Sequence, residues 1–213
     1  MGWFIKNLSS SIGKKQIMAI TGLIFCTFLT THLLGNLSIY GGKGSFNSYA
    51  EHLHSLGVLV NVAEVFLIIF AALHISMAVV LYFQNLSARP VRYVKKKNAG
   101  GRTISSTLMP YTGLIILIFV VAHLINFHFA DHTNQTIFDI VSNVFSNPIY
   151  VISYVFVMIV AAFHVKHGLW SAFQTVGANH PKYMPFIMAV SLIFSLIVVV
   201  GFASIPVYIF SSI

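Results

Sequence analysis

Residues 21–33 read TGLIFCTFLTTHL, and residues 112–124 read TGLIILIFVVAHL. Both begin Thr-Gly-Leu-Ile, carry a histidine ten residues after the glycine and a leucine behind it, and contain no charge. With its flanks, each is long enough for a bilayer-crossing helix, which needs about 20 mainly apolar residues. A second echo follows each copy: Ala71-Ala72-Leu73-His74 resembles Ala161-Ala162-Phe163-His164. The histidine offsets are 91 residues (His32 to His123) and 90 residues (His74 to His164). A two-span unit therefore occurs twice in the same orientation, and parallel repeats of this kind are related by a pseudo-two-fold axis along the membrane normal.

The rest of the chain agrees with a membrane reading. Of 213 residues, 57% are hydrophobic and 8% charged, against roughly 25% charged in soluble domains. Five segments qualify as spans: about 16–40, 56–83, 108–129, 148–173 and 185–210. Pro110, Pro148 and Pro185 fall near span starts, where a missing N–H is harmless. No small-residue cleavage pattern follows the first apolar run, so a cleaved signal peptide is not expected. The single cysteine, Cys26, can form no internal disulfide, and there is no CxxCH for covalent haem attachment. The expectation is one all-α domain over residues 1–213.

The net charge of +8 does not point to nucleic acid, because the basic residues sit mostly in gaps between spans with no soluble domain to carry them. Lys6, Lys14, Lys15, Lys182 and the cluster Arg89, Arg92, Lys95, Lys96, Lys97 and Arg102 fall on one side. The other side holds Lys43 with Glu51, Asp131 and Asp139. Basic loops stay cytoplasmic, which puts the N-terminus inside and, after five spans, the C-terminus outside.

One histidine lies deep within each of the first four spans: His32, His74, His123 and His164. A lone intramembrane histidine is usually an interhelical hydrogen-bonding residue; four in this arrangement call for a joint explanation. At 1.5 Å per residue from the expected cytoplasmic span ends, His32 and His123 lie at about 24 and 23 Å, and His74 and His164 at about 15 Å. Residues at equal depth related by a two-fold axis face each other across a four-helix bundle. Two facing neutral imidazoles are what a bis-histidine b haem requires, so His32/His123 and His74/His164 are expected to hold two haems. Zinc would want four clustered ligands, and a copper site three or more nearby histidines. His167, one turn beyond His164, is a candidate haem-propionate contact. Gly22, Gly35, Gly113, Gly168 and the Ala71-Ala72 and Ala161-Ala162 pairs could admit a flat macrocycle, or simply let helices pack closely.

At this point the chain resembles the diheme cytochrome b membrane anchors of succinate dehydrogenases and fumarate reductases, in their fused five-helix, b558-like form. The most specific stretch is Phe163-His164-Val165-Lys166-His167-Gly168-Leu169-Trp170 followed by Phe173-Gln174-Thr175, supported by Thr31-His32-Leu33 with Asn36 and by the His74 and His123 spans. The resemblance implies His32 and His123 on a distal haem b and His74 and His164 on a proximal one. It further implies an FAD-carrying flavoprotein subunit and an iron–sulfur subunit on the cytoplasmic face of a bacterial inner membrane. Electrons would pass between the iron–sulfur subunit and a quinone, usually menaquinone, and the basic 84–107 loop would help to dock the soluble subunits. One departure matters: where some diheme fumarate reductases carry a proton-conducting glutamate two residues before the fourth-span ligand, this chain has Ala162.

Quinone chemistry moves protons, so a titratable group near the distal site is needed. Glu64 is the one acidic residue inside an expected span, and intramembrane carboxylates tend to be functional. It is the candidate for quinone proton transfer, with Glu51, His52 and His54 as lesser candidates. Lys43 could neutralise a distal propionate or face water, and His128, His132 and His180 read as surface residues. Two other readings remain open: a diheme subunit of a hydrogenase, formate dehydrogenase or ferric reductase, and a transporter or structural protein whose histidines only hydrogen-bond. No dicarboxylate site is evident, so the chain can be only the membrane half of an enzyme.

Overall fold

The computed structural model describes residues 2–88 and 104–212. The basic cluster from Arg89 to Arg102 lies outside the described residues, so its part in docking stays an expectation. A short helix α1 (Gly2–Ser9) precedes the long α2 (Ser11–Asn36). Ser10 caps α2, its hydroxyl accepting the Gly13 N–H at 3.0 Å, as N-cap serines do for the first free donors of a helix. A 3₁₀ turn (Leu37–Gly41) follows, then α3 (Gly42–Ser55) and α4 (Val58–Ser87). Gly42 (φ +82°) and Gly57 (φ +50°) make the two reversals, in backbone that glycine adopts without steric cost. The expected first span therefore begins five residues earlier and stops four residues sooner, at Asn36.

α5 (Ile104–His123) runs directly into a π-helical turn, Leu124–His128, closed by the Phe129 N–H donating to the Leu124 carbonyl at 2.9 Å. Because α5 starts before residue 108, Pro110 lies inside the helix, not at its harmless first position, and removes one backbone hydrogen bond there. α6 (Ile137–Phe145) is short; α7 (Pro148–Thr175) places Pro148 in its first turn, and α8 (Met184–Ser212) carries Pro206 internally.

Five of these helices are long and apolar enough to cross a membrane. Their flanks are not buried by protein: Ile68, Ile118, Ile152 and Val200 are each more than 60% exposed. A soluble monomer rarely exposes contiguous apolar surface on this scale; a bilayer covers it. This is an all-helical, multi-pass membrane protein. α2 packs against α4 and α7, and α5 against α7, while α8 lies mainly along α7. The duplicated hairpin is therefore visible as the pairs α2–α4 and α5–α7.

Protein core in the strict sense collects at the end of the bundle away from the N-terminus. There Ile39, Phe46, Val141, Phe145, Tyr154 and Ile209 form one buried cluster. α3 and α6 cap it. The Phe138 N–H donates to Asn47 Oδ1 at 3.1 Å, and Lys43 Nζ donates to Asp139 Oδ1 at 2.7 Å. Asp139 also closes a capping box with Thr136 at the start of α6. The Lys43 ammonium and the Thr136 hydroxyl together hold its carboxyl below the usual carboxylate range. Lys43 is thus paired with Asp139 while its side chain stays 54% exposed to solvent.

Candidate functional site

The four span histidines occupy two layers. Measured from the observed helix ends on the N-terminal side, His32 and His123 lie about 32 and 28 Å along their helices, and His74 and His164 about 20 and 16 Å.

In the far layer, the rings of His32 (α2) and His123 (α5) face one another with centroids 5.9 Å apart and planes 83° to each other. Phe28 stacks on His32 at 5.2 Å, and Phe202 approaches it at 5.6 Å. Phe119, Phe127 and Tyr154 surround His123 at 5.7, 5.1 and 6.1 Å. Asn126 Nδ2 donates to the Tyr154 hydroxyl at 3.1 Å and fixes that ring. The Nδ1 atom of His123 is buried and has no hydrogen-bond partner among the described residues. Buried polar groups are nearly always satisfied, by protein or by water.

The near layer is built by the repeated Thr-Gly step. His74 (α4) sets Nδ1 3.0 Å from Thr21 Oγ1 on α2, and His164 (α7) sets Nδ1 3.1 Å from Thr112 Oγ1 on α5. A Cβ on Gly22 would stand 3.4 Å from His74 Cε1, and one on Gly113 would stand 3.4 Å from His164 Cε1. Both halves use the same seat, in which glycine leaves the space and threonine supplies the polar contact. The small residues thus have distinct jobs. Gly22 and Gly113 admit imidazoles, whereas a Cβ on Gly35 would run into the Tyr49 ring and one on Gly168 would meet nothing.

The donor set suits a group held by two imidazoles. Among the described residues no three His, Cys, Asp or Glu side chains converge on a common point, so the residues present do not form a zinc- or copper-type cluster. The His32 and His123 rings, with centroids 5.9 Å apart, are near enough to hold one group between them. A haem b would find in each layer two imidazoles, aromatic or small neighbours, and no competing carboxylate. His167 lies edge-on to Trp170, centroids 4.9 Å apart, with a buried Nδ1 that has no partner among the described residues. That is compatible with a propionate.

Glu64 sits in the second turn of α4 with its side chain 45% exposed, and its Oε1 is 4.0 Å from Nδ1 of His128. His128 closes the π turn, a kind of helix defect that recurs at functional sites. Its side chain is 49% exposed, in keeping with a surface position, while it stands beside Glu64. Glu51, His52 and His54 lie exposed on α3, with His54 Nδ1 2.8 Å from the Ala50 carbonyl of its own helix. They meet neither histidine layer in any recorded contact.

Fold and site together define a multi-pass α-helical membrane protein whose doubled hairpin carries paired histidines at two depths. Among curated proteins, the chain is similar to the succinate dehydrogenase cytochrome b558 subunit of Bacillus subtilis (strain 168), at 28% identity over 169 residues, 76% of this chain and 79% of the relative. No family model matches the chain, and no solved structure is significantly similar to it.

Proposed function

We propose that this chain is the cytochrome b membrane anchor of a complex II-type succinate dehydrogenase or fumarate reductase, carrying electrons between an iron–sulfur subunit and a quinone. The observation that carries the reading is the pair of histidine layers built by a duplicated hairpin, in a relative of an anchor bearing that name. His74 and His164 would hold the proximal haem b, and His32 and His123 the distal one. When bound, the haems supply one-electron transfer across the bilayer. The protein's share is to hold each pair of imidazoles at fixed separation and to exclude water with Phe28, Phe119, Phe127 and Phe202. His167 would meet a propionate at the cytoplasmic end.

The quinone, of the menaquinone class, would react at the far layer. An open apolar groove of about 350 Å³ between α2 and α4 is lined by Ile24, Thr27, Phe28, Thr31, Phe66 and Phe70, and Phe28 stacks on His32. Glu64, with His128 beside it, would exchange the protons that two-electron quinone chemistry requires. The flavoprotein subunit, with FAD, and the iron–sulfur subunit would dock on the side holding the N-terminus, which is the cytoplasmic side of a bacterial inner membrane by the loop charges. The relative's printed name favours these partners over those of a hydrogenase or ferric reductase.

The test is purification of the chain from its native membrane through an affinity tag. A co-purifying flavoprotein and iron–sulfur subunit with succinate:quinone reductase activity supports the reading. A b-type protein accompanied by a hydrogenase or dehydrogenase of another substrate contradicts it.

A further inference from the structure

Thr21 and Thr112 each have one hydroxyl proton and more than one polar neighbour. Thr21 Oγ1 lies 2.8 Å from the Ile17 carbonyl and 3.1 Å from that of Met18, one turn back on α2. Thr112 Oγ1 lies 3.1 Å from the carbonyls of both Leu108 and Met109. A carbonyl oxygen only accepts, and with the single hydroxyl proton turned to one of these carbonyls the oxygen is left to accept. The imidazole nitrogens 3.0 and 3.1 Å away, Nδ1 of His74 and of His164, donate in that arrangement. It is the arrangement in which each ring carries its proton on Nδ1 and a free lone pair on Nε2. Among the described residues the far layer shows no such contact: His123 Nδ1 is buried without a hydrogen-bond partner, and the ring contacts of His32 are aromatic.

We infer that Thr21 and Thr112 are matched positioning residues that set the tautomer and electron-donating strength of His74 and His164, and so lower the reduction potential of the near-layer haem alone. The inference rests on the haem reading above and deepens it. A ring N–H that donates to a fixed acceptor orients the ligand and raises the basicity of its other nitrogen. A more basic ligand favours the oxidised, more positive metal. The two contacts come from different halves of the repeat yet converge on one layer, so their loss must be felt at the same place.

The test is spectroelectrochemical titration of the purified complex with Thr21→Val, Thr112→Val, and the corresponding Thr→Ser variants. Valine keeps the shape and removes the acceptor. Each valine variant is expected to raise the midpoint of the same one of two haems by about a tenfold change in its reduction equilibrium, roughly 59 mV for a one-electron couple, at the low end of outer-sphere effects. The other haem stays put, and serine restores the original value. Selective loss of that haem in the valine variant with retention in the serine variant also supports the inference. Unshifted midpoints, equal shifts of both haems, shifts of different haems by the two variants, or serine behaving as valine would overturn it. A wild-type complex with no b-type spectrum would instead overturn the haem reading beneath it.

Discussion

In a Gly22→Leu variant, the new Cβ would stand 3.4 Å from His74 Cε1, already at the inner edge of van der Waals contact. Further carbons, each about 1.5 Å beyond the last, have no room unless the imidazole swings away or α2 and α4 part. Overpacking of this type costs about 1–3 kcal/mol, which depletes the seated ring orientation between about five- and 150-fold. It also breaks the 3.0 Å contact to Thr21. Gly113→Leu does the same to His164 in the other half of the repeat. A bis-histidine site fails when either ligand is displaced, so both leucine variants are expected to lose the same haem. Gly22→Ala and Gly113→Ala need only a few tenths of an ångström of adjustment and keep it. Haem content per polypeptide, read by pyridine haemochrome with difference spectra, distinguishes these outcomes. Leucine variants that retain both haems, or that lose different ones, would refute the argument that the repeated glycines seat one layer.

Three further outcomes are expected. Glu64→Gln should lower quinone turnover by about 10²- to 10⁴-fold, the usual range for a general acid–base group, while leaving both haem spectra unchanged; a parallel loss of haem would assign Glu64 a structural role instead. Ile39, 0% exposed in the cap, should cost about 2–5 kcal/mol when cut to alanine and lower the thermal midpoint in detergent, whereas Ile68→Ala, on a 67% exposed flank, should leave it in place. The Asp139 carboxyl is held low by Lys43 and Thr136, so its contribution is fully present above the unfolded carboxylate range, roughly pH 4, and fades as pH falls through the depressed folded value. Lys43→Met should flatten the acid limb of a stability–pH curve, and an unchanged limb would remove the ion pair from the account.

The five spans were legible because a bilayer crossing demands a long apolar run, and the histidine layers because two nearly equal offsets, 91 and 90 residues, repeat. The caps were not. α3 is too polar to register as a span, with Lys43, Glu51, His52 and His54 along its length. α6 is only nine residues, although its Thr136–Asp139 capping box and the apolar spacing Ile137, Ile140, Val141, Val144 were there to be read as an amphipathic helix. The threonine contacts were hidden for another reason. The Thr-Gly step was noticed as a repeat, but its partners lie 53 and 52 residues away, and spacing along one helix pointed to His32 and His123 instead. His128 ends a π turn and stands 4.0 Å from Glu64, and no periodicity in Leu124–His128 announces that turn.

The most direct test of the central claim is the number of non-covalent b haems per polypeptide in the purified protein and in single-histidine variants. Paired layers predict two in the wild type and one in each of His32→Ala, His74→Ala, His123→Ala and His164→Ala, with His32 and His123 sharing one residual spectrum and His74 and His164 sharing the other. A colourless wild type, a single haem, or residual spectra that pair the histidines differently would contradict it.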